Sequence, residues 1–206
     1  MQIRPYPEKQ GKRSWLSRHD QDKLLDVPED EYPRRRIAFE MGLCGLRSDE
    51  IRQVRFKDFR SLDDQEDRWV MIVPDGKTGR RSVPIDEDLY KRIRFLKSAS
   101  RKNRNDTVID IATRTMRSWM KQHREEIAEE TGDDNWLTVT MHDLRRTFAT
   151  DTFYSLAFEG VPIAEELTKS FGGWKMTATG RETFRSAYLG PIPDHITRQA
   201  AEKMDL

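Results

Sequence analysis

Between Arg68 and Ile85 the hydrophobic rhythm of this chain changes, and afterwards it changes back. Arg68-Trp69-Val70-Met71-Ile72-Val73 is rich in β-branched and aromatic residues and reads as a strand. Asp75-Gly76 and Thr78-Gly79 are turn material, and Arg81 to Ile85 returns as a second strand. On both sides of this hairpin the apolar residues recur at helical spacing. The expected fold is therefore mainly α with a small antiparallel β-sheet, an α+β architecture.

The helical segments can be placed by their ends. Ser17 opens one, with Asp20 as its capping-box partner and Leu24 and Leu25 facing inward. Tyr32 to Leu46 forms a second, and Ser48 is expected to cap a short third over Asp49 to Val54. Asp86 starts a helix to about Ala99. Ala112 to Thr131 is a long one that Gly132 ends. Thr140 caps a helix with Leu144, Phe148 and Phe153 inside. Pro162 begins another that stops near Gly172, and 177–188 and 194–204 read as two more. Residues 1–13 lack periodicity and are expected to be a flexible arm or linker, followed by one domain over 14–190 and a helical tail over 191–206.

Composition adds limits. Hydrophobic and charged residues each make up 35 % of the 206 residues, polar for a globular chain but compatible with a core because the apolar positions are periodic. With 37 basic and 36 acidic side chains the net charge is +1, so global charge does not announce a nucleic-acid partner. Local charge does: Arg34-Arg35-Arg36, Arg80-Arg81 and Arg101-Lys102-Asn103-Arg104 are basic knots. The single cysteine, Cys44, excludes an intrachain disulfide and is expected to be a buried thiol; no Cys/His metal cluster is visible. No apolar run approaches the ~20 residues that span a bilayer, and the expected location is cytoplasmic.

The chemistry is carried by separated pieces. They are Gly45-Leu46-Arg47-Ser48-Asp49-Glu50-Ile51, then Gly76-Lys77-Thr78-Gly79-Arg80-Arg81-Ser82-Val83-Pro84, then His142-Asp143-Leu144-Arg145-Arg146-Thr147, then Gly172-Gly173-Trp174, and finally Tyr188. Two arginines, a lysine and a histidine are what a phosphate site gathers. A phenol, with a pKa of about 10, can both attack phosphorus and leave it. His142 and Arg145, three apart, share a helical face. Gly76-Lys77-Thr78 does not open a nucleotide-binding loop, because the upstream glycine is missing and no helix follows.

In this order the pieces resemble the catalytic domain of the tyrosine recombinases, the phage-integrase family, from about Ser14 to Tyr188. The resemblance implies the DNA breaking-rejoining enzyme fold and site-specific recombination without a cofactor. It makes Arg47 and Arg145 the phosphate clamps, His142 a donor to a non-bridging oxygen, and Lys77 the acid that protonates the leaving 5′ oxygen. Trp174 stands where most members carry histidine; its indole N–H is a donor only. Tyr188 is the nucleophile, with Glu50 orienting a cation, and Thr78, Arg80, Arg81 and Arg146 contacting DNA. The Trp174–Tyr188 interval is longer than usual, with Met176 to Arg181 as the extra segment. Tyr154 is the competing tyrosine; Tyr6, Tyr32 and Tyr90 match no pattern. Double-stranded DNA is the implied partner, with self-association on it, and the tail with Ile196, Ala200 and Met204 either packs on its own chain or docks on a neighbouring protomer as tails beyond the tyrosine do in relatives. Type IB topoisomerase chemistry and a DNA-binding protein with a decayed site are the alternatives.

Overall fold

A computed structural model of the chain describes residues 1–7, 10–26, 33–62, 65–76 and 79–205. Lys77, Thr78 and Tyr32 lie outside the described residues. The hairpin of the central rhythm change is present and larger than expected. Strands β3 (Phe59–Leu62), β4 (Gln65–Gly76) and β5 (Gly79–Ile85) form one antiparallel sheet in the order β3-β4-β5. Its register pairs Phe59 with Met71, Trp69 with Ile85 and Val73 with Arg81. Along β5 burial alternates, so Arg81, Val83 and Ile85 share the inner face.

Helices surround this sheet. They are α1 (Arg18–Leu25), α2 (Pro33–Leu43), α3 (Ser48–Ile51), α4 (Glu87–Ala99), α5 (Thr113–Thr131), α6 (Met141–Phe158), α7 (Ala164–Gly172), α8 (Ala178–Thr183) and α9 (Asp194–Lys203). Ser17 and Asp20 form the expected reciprocal capping box on α1. Thr140 and Asp143 form a second one on α6. Gly132 ends α5 in the left-handed conformation.

Four expectations shift. Helix α2 stops at Leu43, because Gly45 turns the chain with φ +84°. Arg47, not Ser48, caps α3, its backbone N–H donating to the Glu50 carboxylate at 2.8 Å. Helix α7 begins at Ala164, not Pro162. The stretch 177–188 is α8 followed by one π-helical turn, Phe184–Tyr188. The first residues also differ from a flexible arm. Gln2–Pro5 (β1) pairs antiparallel with Lys12–Trp15 (β2), and polar side chains of α6 and backbone carbonyls of 186–192 hold this hairpin down.

The main core joins α2, α3, the sheet, α4, α5 and the start of α6 through fully buried Ile37, Phe39, Met41, Ile51, Met71, Val83 and Leu144. Cys44 is half-buried against it, and burial pushes its thiol above the ordinary range. A second, smaller cluster of Ala149, Trp174 and Phe184, edged by Phe148, Phe153, Tyr188 and Leu189, lies apart. The site forms where the two meet.

Candidate active site

Three chain turns set the site. The α2–α3 turn carries Arg47, and Gly45 is required there twice over. Its φ is positive, and a Cβ would stand 2.5 Å from the Phe148 ring. The end of α7 carries Trp174, and a Cβ on Gly172 would overlap the indole at 1.8 Å. The first turn of α6 presents His142 and Arg145 on one side.

Glu50 organises the cations. It is 3 % exposed. It accepts from Arg81 Nη1 and Nη2 at 3.0 and 2.7 Å and from Arg47 Nη1 at 2.8 Å. Burial pushes its carboxyl upward, but the hydrogen bonds and charges of Arg81 and Arg47 outweigh that and hold it below the usual carboxylate range. Arg81 also donates to the Phe171 carbonyl at 2.8 Å, tying the sheet to α7. Arg81, expected to contact DNA, is buried at 8 % exposure with its guanidinium bound within the protein. Its place on the Val83-Ile85 face was the sequence signal for this.

Arg145 is completely buried. Its Nη1 donates to the Gly45 carbonyl and, at 2.6 Å, to that of Gly172. Its Nε and Nη2, and the Trp174 Nε1, are buried with no hydrogen-bond partner among the described residues. Burial, reinforced by Arg47, pushes the Arg145 guanidinium well below its ordinary value. Buried donors left unpaired beside a costly cation suit an incoming anion.

Aromatic rings close over this cation. The Arg145 guanidinium lies 4.0 Å from the Trp174 ring centroid and 5.6 Å from that of Tyr188. Tyr188 meets Trp174 edge-on at 4.8 Å and His142 at 5.3 Å. His142 is exposed at the rim of a cleft of about 540 Å³ that Arg47, Arg145, Arg117, Lys121 and Arg124 also line. Arg117, Lys121 and Arg124 stand at i, i+4, i+7 on α5, one helical face, and that spacing is the sequence signal for this basic wall.

The structure therefore gathers Arg47, Glu50, His142, Arg145, Trp174 and Tyr188. Arg80 is exposed on β5. Arg146 is not an exposed contact. It is 4 % exposed, ion-paired with Asp143 at 2.5 Å, and donates to Tyr6 Oη at 2.8 Å and the Ala187 carbonyl at 3.2 Å. Asp143, also missed, additionally accepts from the Ser14 N–H and from Thr140. The Thr140-x-x-Asp143 capping box was its visible signal. Tyr154 reaches toward the Gly190 carbonyl, away from the cleft.

The fold is that of the tyrosine recombinase catalytic domain. XerA recombinase is similar at 18 % identity, over 98 % of this chain and 66 % of that one, with a TM-score of 0.62. XerH bound to its palindromic difH substrate is similar at 18 % identity, over 91 % and 52 % of the two chains, with a TM-score of 0.60. The lambda integrase dimer on a COC′ core site gives 16 % identity, 90 % and 52 % coverage and a TM-score of 0.57. This chain spans about half to two thirds of the length of these proteins. No curated protein sequence matches it. The sequence profile of the phage integrase family matches residues 14–179, most of the chain, and the chain belongs to that family.

Proposed function

We propose that the chain is the catalytic part of a site-specific DNA recombinase that cuts and rejoins strands through a 3′-phosphotyrosyl intermediate. The observation that carries this reading is the Tyr188 ring seated against His142, Arg145 and Trp174 beside a cation-lined cleft. Tyr188 Oη attacks a backbone phosphate, forming the P–Oη bond as the P–O5′ bond breaks. The phenolic proton leaves through His142, and Lys77 protonates the departing 5′ oxygen. Arg47, Arg145 and Trp174 stabilise the charge on the pentacoordinate phosphorus; the unpaired donors of Arg145 and Trp174 are the ones in position to do so. Attack by a partner strand's 5′ hydroxyl reverses the step and needs no outside energy source.

The substrate is double-stranded DNA, and two or four chains assemble on it. The lambda integrase dimer and the XerH complexes with difH are precedents of the same fold. Among the described residues no helix is long and apolar enough to cross a membrane; the place of action is where DNA is, the cytoplasm.

Nicked duplexes of randomised sequence, which trap cleavage by losing the 5′-hydroxyl fragment, provide the test. The expected result is a covalent protein–DNA band that Tyr188→Phe abolishes while DNA binding persists. Loss of the band with Tyr154→Phe, and its retention with Tyr188→Phe, would overturn the assignment.

A further inference from the structure

The peptide around Tyr188 is held from outside itself. A π-helical turn offers its carbonyls no regular α-helical partners, and three consecutive ones are taken by side chains from the other end of the chain and from α6. Arg13 Nη1 donates to the Ser186 carbonyl at 2.6 Å, Arg146 Nε to that of Ala187 at 3.2 Å, and Trp15 Nε1 to that of Tyr188 at 2.8 Å. Gln2 Nε2 adds a contact to the Ile192 carbonyl at 3.3 Å. The grip is braced. The Tyr6 ring has the Arg13 and Arg146 guanidiniums at 5.6 and 5.4 Å, and its hydroxyl accepts from Arg146. Trp15 is 4 % exposed and lies so close to Gly190 that a Cβ there would stand 2.7 Å from its indole.

We propose that the β1–β2 hairpin is a clamp that commits Tyr188 to the pocket of its own chain, with Arg13 and Trp15 as positioning residues. This rests on Tyr188 being the nucleophile. A tyrosine on a short segment can serve either its own protomer or a neighbour. Hydrogen bonds between the backbone of 186–192 and side chains of residues 2–15 and of Arg146, Thr150 and Tyr154 on α6 hold that segment beside the local Arg145, and swinging it to another chain requires breaking them together. The hairpin thus acts on which active site is completed, through the backbone of the Tyr188 segment.

Complementation tests the clamp. A Tyr188→Phe chain keeps its pocket but has no nucleophile. An Arg47→Ala chain keeps its nucleophile but has a broken clamp on the phosphate; Glu50 there still has its two bonds from Arg81. Mixed on the nicked duplex, with the two chains of different size, they are expected to give no covalent band, because Tyr188 cannot leave its own chain. The mixture is then repeated with the Arg47→Ala donor loosened, once by Arg13→Met with Trp15→Phe and once by Gly190→Ala. A covalent band of the donor's size is expected to appear with each. In a chain with all other residues intact, the same loosening is expected to lower the cleavage rate about 100-fold, the effect of an ångström-scale misplacement, with DNA affinity unchanged. A band from the unloosened mixture, or none from both loosened donors while they still bind DNA, overturns the clamp. A band from Tyr188→Phe alone overturns the nucleophile assignment instead.

Discussion

Glu50 is the residue on which the cation arrangement turns. Two arginines approach within hydrogen-bond distance of each other's partner only because this carboxylate lies between them, with 4 % of its side chain exposed. Replacing it by glutamine leaves Arg81 buried without a counter-charge, which costs about 3–5 kcal/mol. Its folded-state pKa is depressed, so its contribution is present at neutral pH and lost as pH falls through the folded value. Glu50→Gln is therefore expected to lower stability at pH 7, with the gap to the unaltered chain closing below about pH 4; denaturant melts across pH measure this. The residue was legible in Gly-Leu-Arg-x-x-Glu, and so were Arg47, His142, Arg145, Trp174 and Tyr188. Arg81 and Arg146 read from the sequence as DNA contacts, one in a basic run and one beside the His142–Arg145 pair. The alternation along β5 signals that Arg81 is buried but not its partner Glu50, 31 residues away; the Tyr6 and Ala187 partners that bury Arg146 likewise lie on other elements.

At the scale of elements, α6 does more than carry His142 and Arg145. Asp143, Thr147, Thr150 and Tyr154 follow one another at helical spacing and form a polar ridge. Asp143 accepts from Ser14 N–H, Thr147 from Leu16 N–H at 3.0 Å, and Thr150 from Gly190 N–H at 2.8 Å. One helix thereby docks both the β2 strand and the Tyr188 segment. Thr150→Val keeps the shape and removes the acceptor of a buried N–H. It is expected to cost about 1–3 kcal/mol and to slow cleavage of the nicked duplex with little effect on DNA binding, read by melts and by single-turnover rates. Most helices were visible from caps and periodicity. The π turn and β1 were not: one differs from an α turn by a single hydrogen-bond shift, and the other is fixed by pairing and by long-range contacts, not by its own four residues.

For the whole molecule the near-balance of charge hides an uneven distribution. Arg47, Arg117, Lys121, Arg124 and Arg145 face one cleft. If each neutralises about one phosphate, log affinity for duplex DNA is expected to fall with log salt at a slope of about −4 to −5. Arg117→Ala and Lys121→Ala are each expected to flatten that slope by about 0.9, measured by fluorescence anisotropy from low to moderate salt. A slope near zero would place the DNA elsewhere.

The division of the apolar interior into a large cluster and a small one has a consequence for how such an enzyme turns over. Leu46 and Leu144, the chain neighbours of Arg47 and Arg145, belong to the large cluster, whereas Tyr188 edges the small one with Trp174 and Phe184. A fluctuation that loosens the raft under the phenol takes the Trp174 donor with it and leaves the Arg47–Glu50–Arg81 network standing. On the proposed reading, attack and withdrawal by Tyr188 are then one light part moving against a heavy one, with the larger body left intact.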